Sequence, residues 1–317
     1  MNATTIVLIP VYNDWPSLSR LIADLENTFV PFPEGALQLV IINDGSLEVP
    51  TLTTQWPHTK TVHLTTRLGH QKAIATGLSY IHHSMPCKNV LIMDADGEDQ
   101  PADAMQLLHH ANLHPAKFIM GNRNKRKNGS IFKMYYAIYK LLFRLLTGKK
   151  ISFGHFMVVP KQSVDRLVFM SDIWNNLAAS ILKAELPYVK VNTSKGARYD
   201  GKSKMSFHSL VLHGLGAISV FIESISVRLL NLSFIIIGLS SLIILLVLAI
   251  KWFTALAIPG WASVILSTII IVLLQGFLLS LFTIFLFLSS QSNRKFIPAR
   301  HYTDYIDKIT DNPCKEQ

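Results

Sequence analysis

Lys88-Asn89-Val90-Leu91-Ile92-Met93-Asp94-Ala95-Asp96-Gly97-Glu98-Asp99-Gln100-Pro101 runs from an unbroken apolar stretch straight into four acids. A short apolar run without polar alternation is the pattern of a strand buried on both faces. The acids behind it repel one another and need a counter-charge. A hard divalent cation with oxygen ligands is one answer, and a solvated acidic loop is the plainer one. Their place directly after a buried strand favours the first.

The segments around this stretch repeat its pattern. Thr4–Tyr12 (TTIVLIPVY), Leu37–Gly45 (LQLVIINDG), Lys60–Thr66 (KTVHLTT) and Lys117–Arg123 (KFIMGNR) read as four more strands. Ser17–Phe29 puts Leu18, Leu21, Ile22 and Leu25 on one helical face, and Gln71–His82 is also helical in pattern. Strands alternating with helices predict an α/β fold, with a mostly parallel sheet covered by helices on both faces. Ligands then bind beyond the carboxyl ends of the strands.

The rest of the chain has a different character. Of 317 residues, 50 % are hydrophobic and only 16 % charged, against the usual quarter. Mean hydropathy is +0.32. Between Arg228 and Arg294 the only charge is Lys251. Ser233–Ile250 and Ala262–Leu288 are uncharged and long enough to cross a hydrocarbon core of ~30 Å. Between them, Trp252, Pro259, Gly260 and Trp261 fit a short interfacial loop. Arg228 before the first span, and Arg294 and Lys295 after the second, place both ends in the cytoplasm by the positive-inside rule. The N-terminus has neither a basic start nor a long apolar run, so no signal peptide is expected. Cys87 and Cys314 have no metal-ligand spacing and read as free thiols.

The expected organisation is a cytoplasmic domain over 1–228, a transmembrane hairpin over 229–290 and a cytoplasmic tail over 291–317, in an integral inner-membrane protein. Two stretches, near 131–147 and 207–228, read as interfacial helices. A net charge of +10 beside a membrane anchor points to membrane lipids or a phosphate-rich substrate as partner, not nucleic acid. Ser240, Ser241 and Gln275 inside the spans leave a homo-oligomer open.

Four strand ends carry the chemistry. Ile9–Asp14 offers Pro10, the flat ring of Tyr12, and the oxygens of Asn13 and Asp14; Asn43–Ser46 offers Asp44 to a base or ribose. Asp94–Pro101 is the acid loop. Basic residues follow: Arg123, Lys125, Arg126 and Lys127, then Arg198 within Gly196–Met205 (GARYDGKSKM). Arg suits bidentate phosphate contacts, and Lys is a point charge.

In this order, the pieces resemble glycosyltransferase family two, above all the dolichol-phosphate mannose synthases and the bacterial bactoprenol and polyprenyl-phosphate glycosyltransferases. IPVYND (9–14) resembles the opening nucleotide turn, NDGS (43–46) the family's DDGS, and Arg67–Ala73 with Ala75 and Gly77 the RNxGxxxA stretch. DADGEDQP (94–101) resembles DADLQDPP, Gly121–Arg123 the GxR turn, and Arg198–Lys204 the RxxGxSK motif.

The resemblance implies a GT-A-like, Rossmann-like domain. It also implies transfer, with inversion, from a UDP- or GDP-sugar to a polyprenyl (undecaprenyl) phosphate at the cytoplasmic face, with Mg²⁺ or Mn²⁺. The nucleotide-sugar falls to Pro10, Tyr12, Asp14, Asp44, Lys72, Arg198 and Lys204. The metal falls to Asp94, Asp96 and Glu98, and the acceptor phosphate to Arg123 and Lys133. Asp94, Asp96, Asp99 and His155 are the catalytic candidates. His155 stands where the family often has an acid. A hydroxyl acceptor needs a general base, and a lipid phosphate does not. The sequence therefore favours phosphate. It leaves open a hydroxyl on a lipid-linked oligosaccharide or polysaccharide, and a non-catalytic nucleotide-sugar binding subunit.

Overall fold

A computed structural model of the chain describes residues 4–29, 36–48, 50, 59–123, 130–150, 154–200, 207–253, 260–292 and 296–311. The strands are β1 (Thr5–Val11), β2 (Leu37–Asn43), β3 (Lys60–Leu64), β4 (Asn89–Ile92), β5 (Phe118–Arg123), β6 (Met157–Pro160), β7 (Tyr188–Thr193) and β8 (Ile306–Asp311). The helices are α1 (Trp15–Phe29), α2 (His70–Ser84), α3 (Pro101–Leu113), α4 (Ser130–Thr147), α5 (Lys161–Leu167), α6 (Leu177–Lys183), α7 (Phe207–Ser219), α8 (Ile222–Phe253), α9 (Trp261–Ser292) and α10 (Pro298–His301).

The eight strands form one sheet in the order β7-β5-β6-β4-β1-β2-β3-β8. β1 pairs in parallel with β2 and β4, β2 with β3, and β5 with β7. β6 runs antiparallel to β4 and β5, and β8 antiparallel to β3. The sheet is thus mixed, and all five strands read from the sequence lie in it. Burial on both faces explains why β1 is apolar from Ile6 onward. Ile6 and Leu8 pack with α2, α5 and α6 on one face, while Val7 and Ile9 pack with α1 and α3 on the other.

β1, β2 and β4 lie side by side in parallel, so their carboxyl ends gather Tyr12, Asp44 and Asp94 at one edge. Three strands escape the sequence reading. β6 is four residues long, β7 alternates apolar with polar residues, and β8 is a partly exposed strand of mixed charge. Charge on an edge strand protects it from pairing with another chain.

The chain divides into two compact units. One comprises Met1–Phe143, Lys149–Val220 and Phe296–Gln317, and holds the sheet. The other comprises Arg144–Gly148 and Phe221–Lys295, and holds α8 and α9. Each of these helices has 32 residues and extends past both expected spans. The stretch 207–228 divides into α7 and the first turns of α8. Only 11 % and 6 % of the apolar windows of α8 and α9 are buried inside the protein, so neither is the core helix of a globular domain; both are long and apolar enough to cross a membrane. Their packing is marked by Ser233 and Ser280, buried with hydroxyls 2.5 Å apart. Ser241 instead bonds to Ile237 O of its own helix.

Candidate active site

The turns after β1 and β2 are built as one piece. Asp44 N–H donates to Val11 O at 2.9 Å and Asn13 N–H to Ser46 Oγ at 2.9 Å. Asn43 Oδ1 accepts Ser46 N–H at 2.9 Å. Gly45 has φ +71°, and a Cβ there would stand 2.7 Å from Arg67 N, so only glycine fits. Asp44, itself buried, takes Leu68 N–H at 2.7 Å and Gly69 N–H at 2.9 Å, at the N-terminus of α2. Burial raises the Asp44 carboxyl above its ordinary value, against the pull of those two N–H groups and Arg67. Tyr12 carries the Arg67 guanidinium over its ring at 4.0 Å. Pro10 is buried within β1 opposite Ile42, and Asp14 precedes α1, its carbonyl taking Leu18 N–H. The Lys72 ammonium sits 5.6 Å from the centre of the Trp174 ring.

The acid loop after β4 meets cations from two other segments. Asp96 Oδ2 pairs with Arg198 at 2.7 Å. Glu98 takes Arg198 Nε at 2.9 Å, Lys195 at 3.0 Å and Arg123 at 3.1 Å. Asp99, 1 % exposed, takes Arg123 at 2.5 Å through Oδ1 and Asp94 N–H at 3.0 Å through Oδ2. The repulsion that the sequence assigned to a metal is met in large part by these basic side chains.

Backbone bonds hold the two loops together: Gly196 N–H to Glu98 O and Tyr199 N–H to Asp96 O. Ser194 is anchored on the buried Asp103, and Tyr199 on Asp24 and Arg20 of α1. Gly97, at φ +84°, lets the Tyr199 ring lie flat over the turn, where a Cβ would come within 2.5 Å of it. Burial and then the Asp94 charge raise the Asp96 carboxyl, and the same two causes, against Arg123, push Asp99 up to about 7. Burial also pushes Glu98 upward, but Lys195 and Arg198 outweigh it and leave its carboxyl below the ordinary value.

A cluster of imidazoles lies beside the acids. His70 Nε2 is 3.3 Å from Asp94 Oδ1. The His155 ring centre is 5.1 Å from His70 and 5.5 Å from His213 of α7. Gln71 Oε1 accepts Leu177 N–H at 3.0 Å, so its amide nitrogen faces His155 and donates to Nε2 at 2.7 Å. His155 Nε2 is therefore an acceptor, and the ring's proton is on Nδ1. Lost solvation, then His70, His213 and Arg123, keep its pKa well below the ordinary value.

Asp44, Asp94, Asp96, Asp99, Glu98, Arg123 and Arg198 thus stand in one network or along one sheet edge, with His155 beside it. Lys204, Lys125, Arg126 and Lys127 lie outside the described residues, as does the side chain of Lys133. Sequence reasoning passed over Lys195, His70, Gln71 and His213. The first borders the Gly196–Met205 stretch, the next two open α2 inside Arg67–Ala73, and His213 lies in a segment read only as interfacial.

The residues fit a divalent cation through a small ligand set. Asp94 Oδ1 is buried and accepts no hydrogen bond among the described residues, the His70 ring nitrogen standing 3.3 Å away without bonding to it. Among those residues, no three His, Cys, Asp or Glu side chains converge on a common metal position. Mg²⁺ and its like ordinarily use one or two carboxylates and take their other oxygens from phosphate and water. Asp94 and Asp96 would supply such a pair.

The chain is similar to an uncharacterized glycosyltransferase, YkcC, of Bacillus subtilis (strain 168), at 23 % identity over 270 residues, 82 % of this chain and 81 % of the relative. Similar solved structures include mannosyl-3-phosphoglycerate synthase from Rubrobacter xylanophilus, at 14 % identity and TM-score 0.47, over 69 % of this chain and 72 % of that one. Another is glucosyl-3-phosphoglycerate synthase from Mycobacterium tuberculosis, at 12 % identity and TM-score 0.45, over 70 % of this chain and 80 % of that one, crystallised with Mn²⁺, UDP and glucosyl-3-phosphoglycerate. The pattern of Glycosyl transferase family 2 matches residues 6–167, from β1 through α5. With just over half its length matched, and the acid loop within that match, the chain belongs to glycosyl transferase family 2.

Proposed function

We propose that this glycosyltransferase moves a sugar from a nucleotide-sugar to a polyprenyl phosphate at the cytoplasmic face of the membrane, with inversion at the anomeric carbon. The observation that carries the choice of acceptor is the state of His155 and Asp99. A sugar hydroxyl must lose a proton to a base as it attacks. His155 has its Nε2 lone pair on Gln71 and its pKa held low. Both Asp99 oxygens are engaged, one by Arg123 and one by Asp94 N–H, and the side chain is buried. Asp99 has the raised pKa of a base but neither oxygen free for an incoming hydroxyl, and His155 has its lone pair on Gln71. A lipid phosphate oxygen arrives anionic and needs no base.

The roles follow from position. Tyr12, Asp14, Asp44 and the buried end of β1 at Pro10 form the nucleoside side. Asp94 and Asp96 would hold Mg²⁺ or Mn²⁺, which when bound supplies Lewis-acid neutralisation of the departing diphosphate. Arg198, with Lys195, presents cations to that diphosphate. Arg123 spends two of its five N–H groups on Glu98 and Asp99 and keeps the rest for the acceptor phosphate. Holding donor and acceptor in line supplies much of the rate. The two long apolar helices and the positive-inside pattern support a membrane anchor with a cytoplasmic catalytic domain.

The test uses detergent-solubilised full-length protein, undecaprenyl phosphate, Mn²⁺ or Mg²⁺ and a panel of radiolabelled UDP- and GDP-sugars. Label passing into the organic phase, abolished by chelation, is the expected result. Donor hydrolysis with no labelled lipid would overturn the acceptor and keep the donor site.

A further inference from the structure

The strand that completes the sheet, β8, comes from the tail beyond the hairpin, and a line of hydrogen bonds runs from it to the turn assigned to the nucleotide. Thr310 Oγ1 on β8 lies 2.9 Å from His63 Nε2 on β3. His63 Nδ1 lies 3.1 Å from Asn43 Nδ2 at the end of β2. Asn43 Oδ1 accepts Ser46 N–H at 2.9 Å, and Ser46 Oγ accepts Asn13 N–H at 2.9 Å. His63 is 6 % exposed and Asn43 3 %, so the middle of the line is shut away from water.

The direction of every bond in this line is determined. A backbone N–H can only donate, so the Ser46 N–H fixes Asn43 with its oxygen toward the turn and its amide nitrogen toward His63. That nitrogen offers only hydrogens, so His63 Nδ1 must accept. The ring is then neutral, and its one N–H, on Nε2, goes to the Thr310 hydroxyl. A carboxylate at position 43 would accept from both Ser46 N–H and the ring and so reverse the tautomer, while with Asn43 a His63 cation would set N–H against N–H. Burial, with Lys308 nearby, disfavours that cation. Buried polar groups wired in this way hold one orientation because any other leaves a group unpaired.

We propose that Thr310 and His63 are positioning residues for the donor: acting through Asn43, they lock the turn Asn43–Leu47 in the conformation that presents Asp44 and Asn13 to the nucleotide, without touching it themselves. The tail after the membrane hairpin is on this account part of the donor site's framework. The inference rests on the donor reading given above.

The test compares Thr310→Val with Thr310→Ser in full-length protein, by isothermal titration with UDP and with GDP in the presence of Mn²⁺, and by thermal melting. Val keeps the branched shape that suits a strand and loses the hydroxyl; Ser keeps the hydroxyl. Thr310→Val should bind the nucleotide preferred by the wild type about five-fold more weakly, and Thr310→Ser within about twofold of it. Should a donor sugar be found, its KM rises in Thr310→Val while kcat holds. Equal affinity in all three proteins would overturn the proposal. So would a loss shared by Val and Ser, or a fall in melting temperature with no change in affinity, since those mark a purely structural strand. If the wild type binds neither nucleotide, the donor reading itself falls, and the relay with it.

Discussion

Two acids at the ends of neighbouring parallel regions of the sheet are held in different ways. Asp44, after β2, is fixed by main-chain N–H groups of Leu68 and Gly69 at the start of α2. Asp96, after β4, takes the Glu98 main-chain N–H on one oxygen, but its other oxygen, like the neighbouring Glu98 carboxylate, is held by the side chains of Arg198, Lys195 and Arg123. Main-chain donors cannot move without unwinding the helix that bears them. Guanidinium and ammonium groups on flexible stems can change partners at little cost. One acid therefore belongs to a preformed socket, and the other to an ion-pair set open to exchange. A nucleoside needs the first kind of partner, because its shape is constant. A diphosphate that arrives charged and departs more charged needs the second.

The largest effect that would sharpen this contrast is on turnover. Asp96→Asn should reduce sugar transfer by roughly 100-fold or more if, as proposed, its carboxylate serves the departing diphosphate. Steady-state transfer with the preferred donor measures it, and transfer within a few-fold of wild type would remove Asp96 from the chemistry.

Stability should divide the two acids the other way. Asp44→Asn turns an N–H₂ toward the N–H of Leu68 or Gly69 and leaves buried donors facing each other, at a cost of about 1–3 kcal/mol. Asp96→Asn can keep its oxygen on the Glu98 N–H and turns its amide toward Arg198, a flexible side chain that can swing away, so it should cost less. Denaturation of the two variants side by side checks this. Equal losses would mean that the two loops are held alike after all.

What could be read from the sequence follows the same division. The five strands that announced themselves are apolar, and the two central ones, β1 and β2, are buried on both faces. Polar residues mark the ends of β1, β2 and β4, so Asp44, Asp94 and Asp96 could be named from position alone. β6 was hidden because its short run closes on Pro160, and β7 and β8 because edge strands such as Tyr188–Thr193 and Ile306–Asp311 carry Lys and Asp that imitate a loop. The acid loop was legible as charge but not as pairing. Which cations would meet it depends on the loop 194–200 folding back across 96–98, a contact between residues about a hundred positions apart in sequence. His155 was legible as a missing acid. That Gln71 occupies its lone pair depends on the amide being turned by Leu177, on another helix.

The smallest expected effect is in the dependence of stability on pH, and here the two regions should show opposite signs. Glu98 has its carboxyl lowered from 4.5 by Lys195 and Arg198 in spite of burial. A carboxyl lowered on folding adds stability above its unfolded pKa, and that contribution is lost as pH falls through the folded value. Asp44 has its carboxyl raised from 3.8 by burial. A raised carboxyl binds its proton more tightly in the folded chain, so its contribution is present below 3.8 and is lost as pH rises through the folded value. Melting temperatures followed from pH 6 down to 3 should therefore fall less steeply in Glu98→Gln than in wild type below 4.5, because the group that must be protonated against its ion pairs is gone. Asp44→Asn should fall more steeply than wild type, because the group that gained from protonation is gone. Each slope is bounded by about 1.4 kcal/mol per pH unit for one ionisation. Parallel curves for all three proteins would mean that the ion pairs on Glu98 and the burial of Asp44 carry no net electrostatic weight in the fold, and the contrast between socket and exchangeable set would then rest on geometry alone.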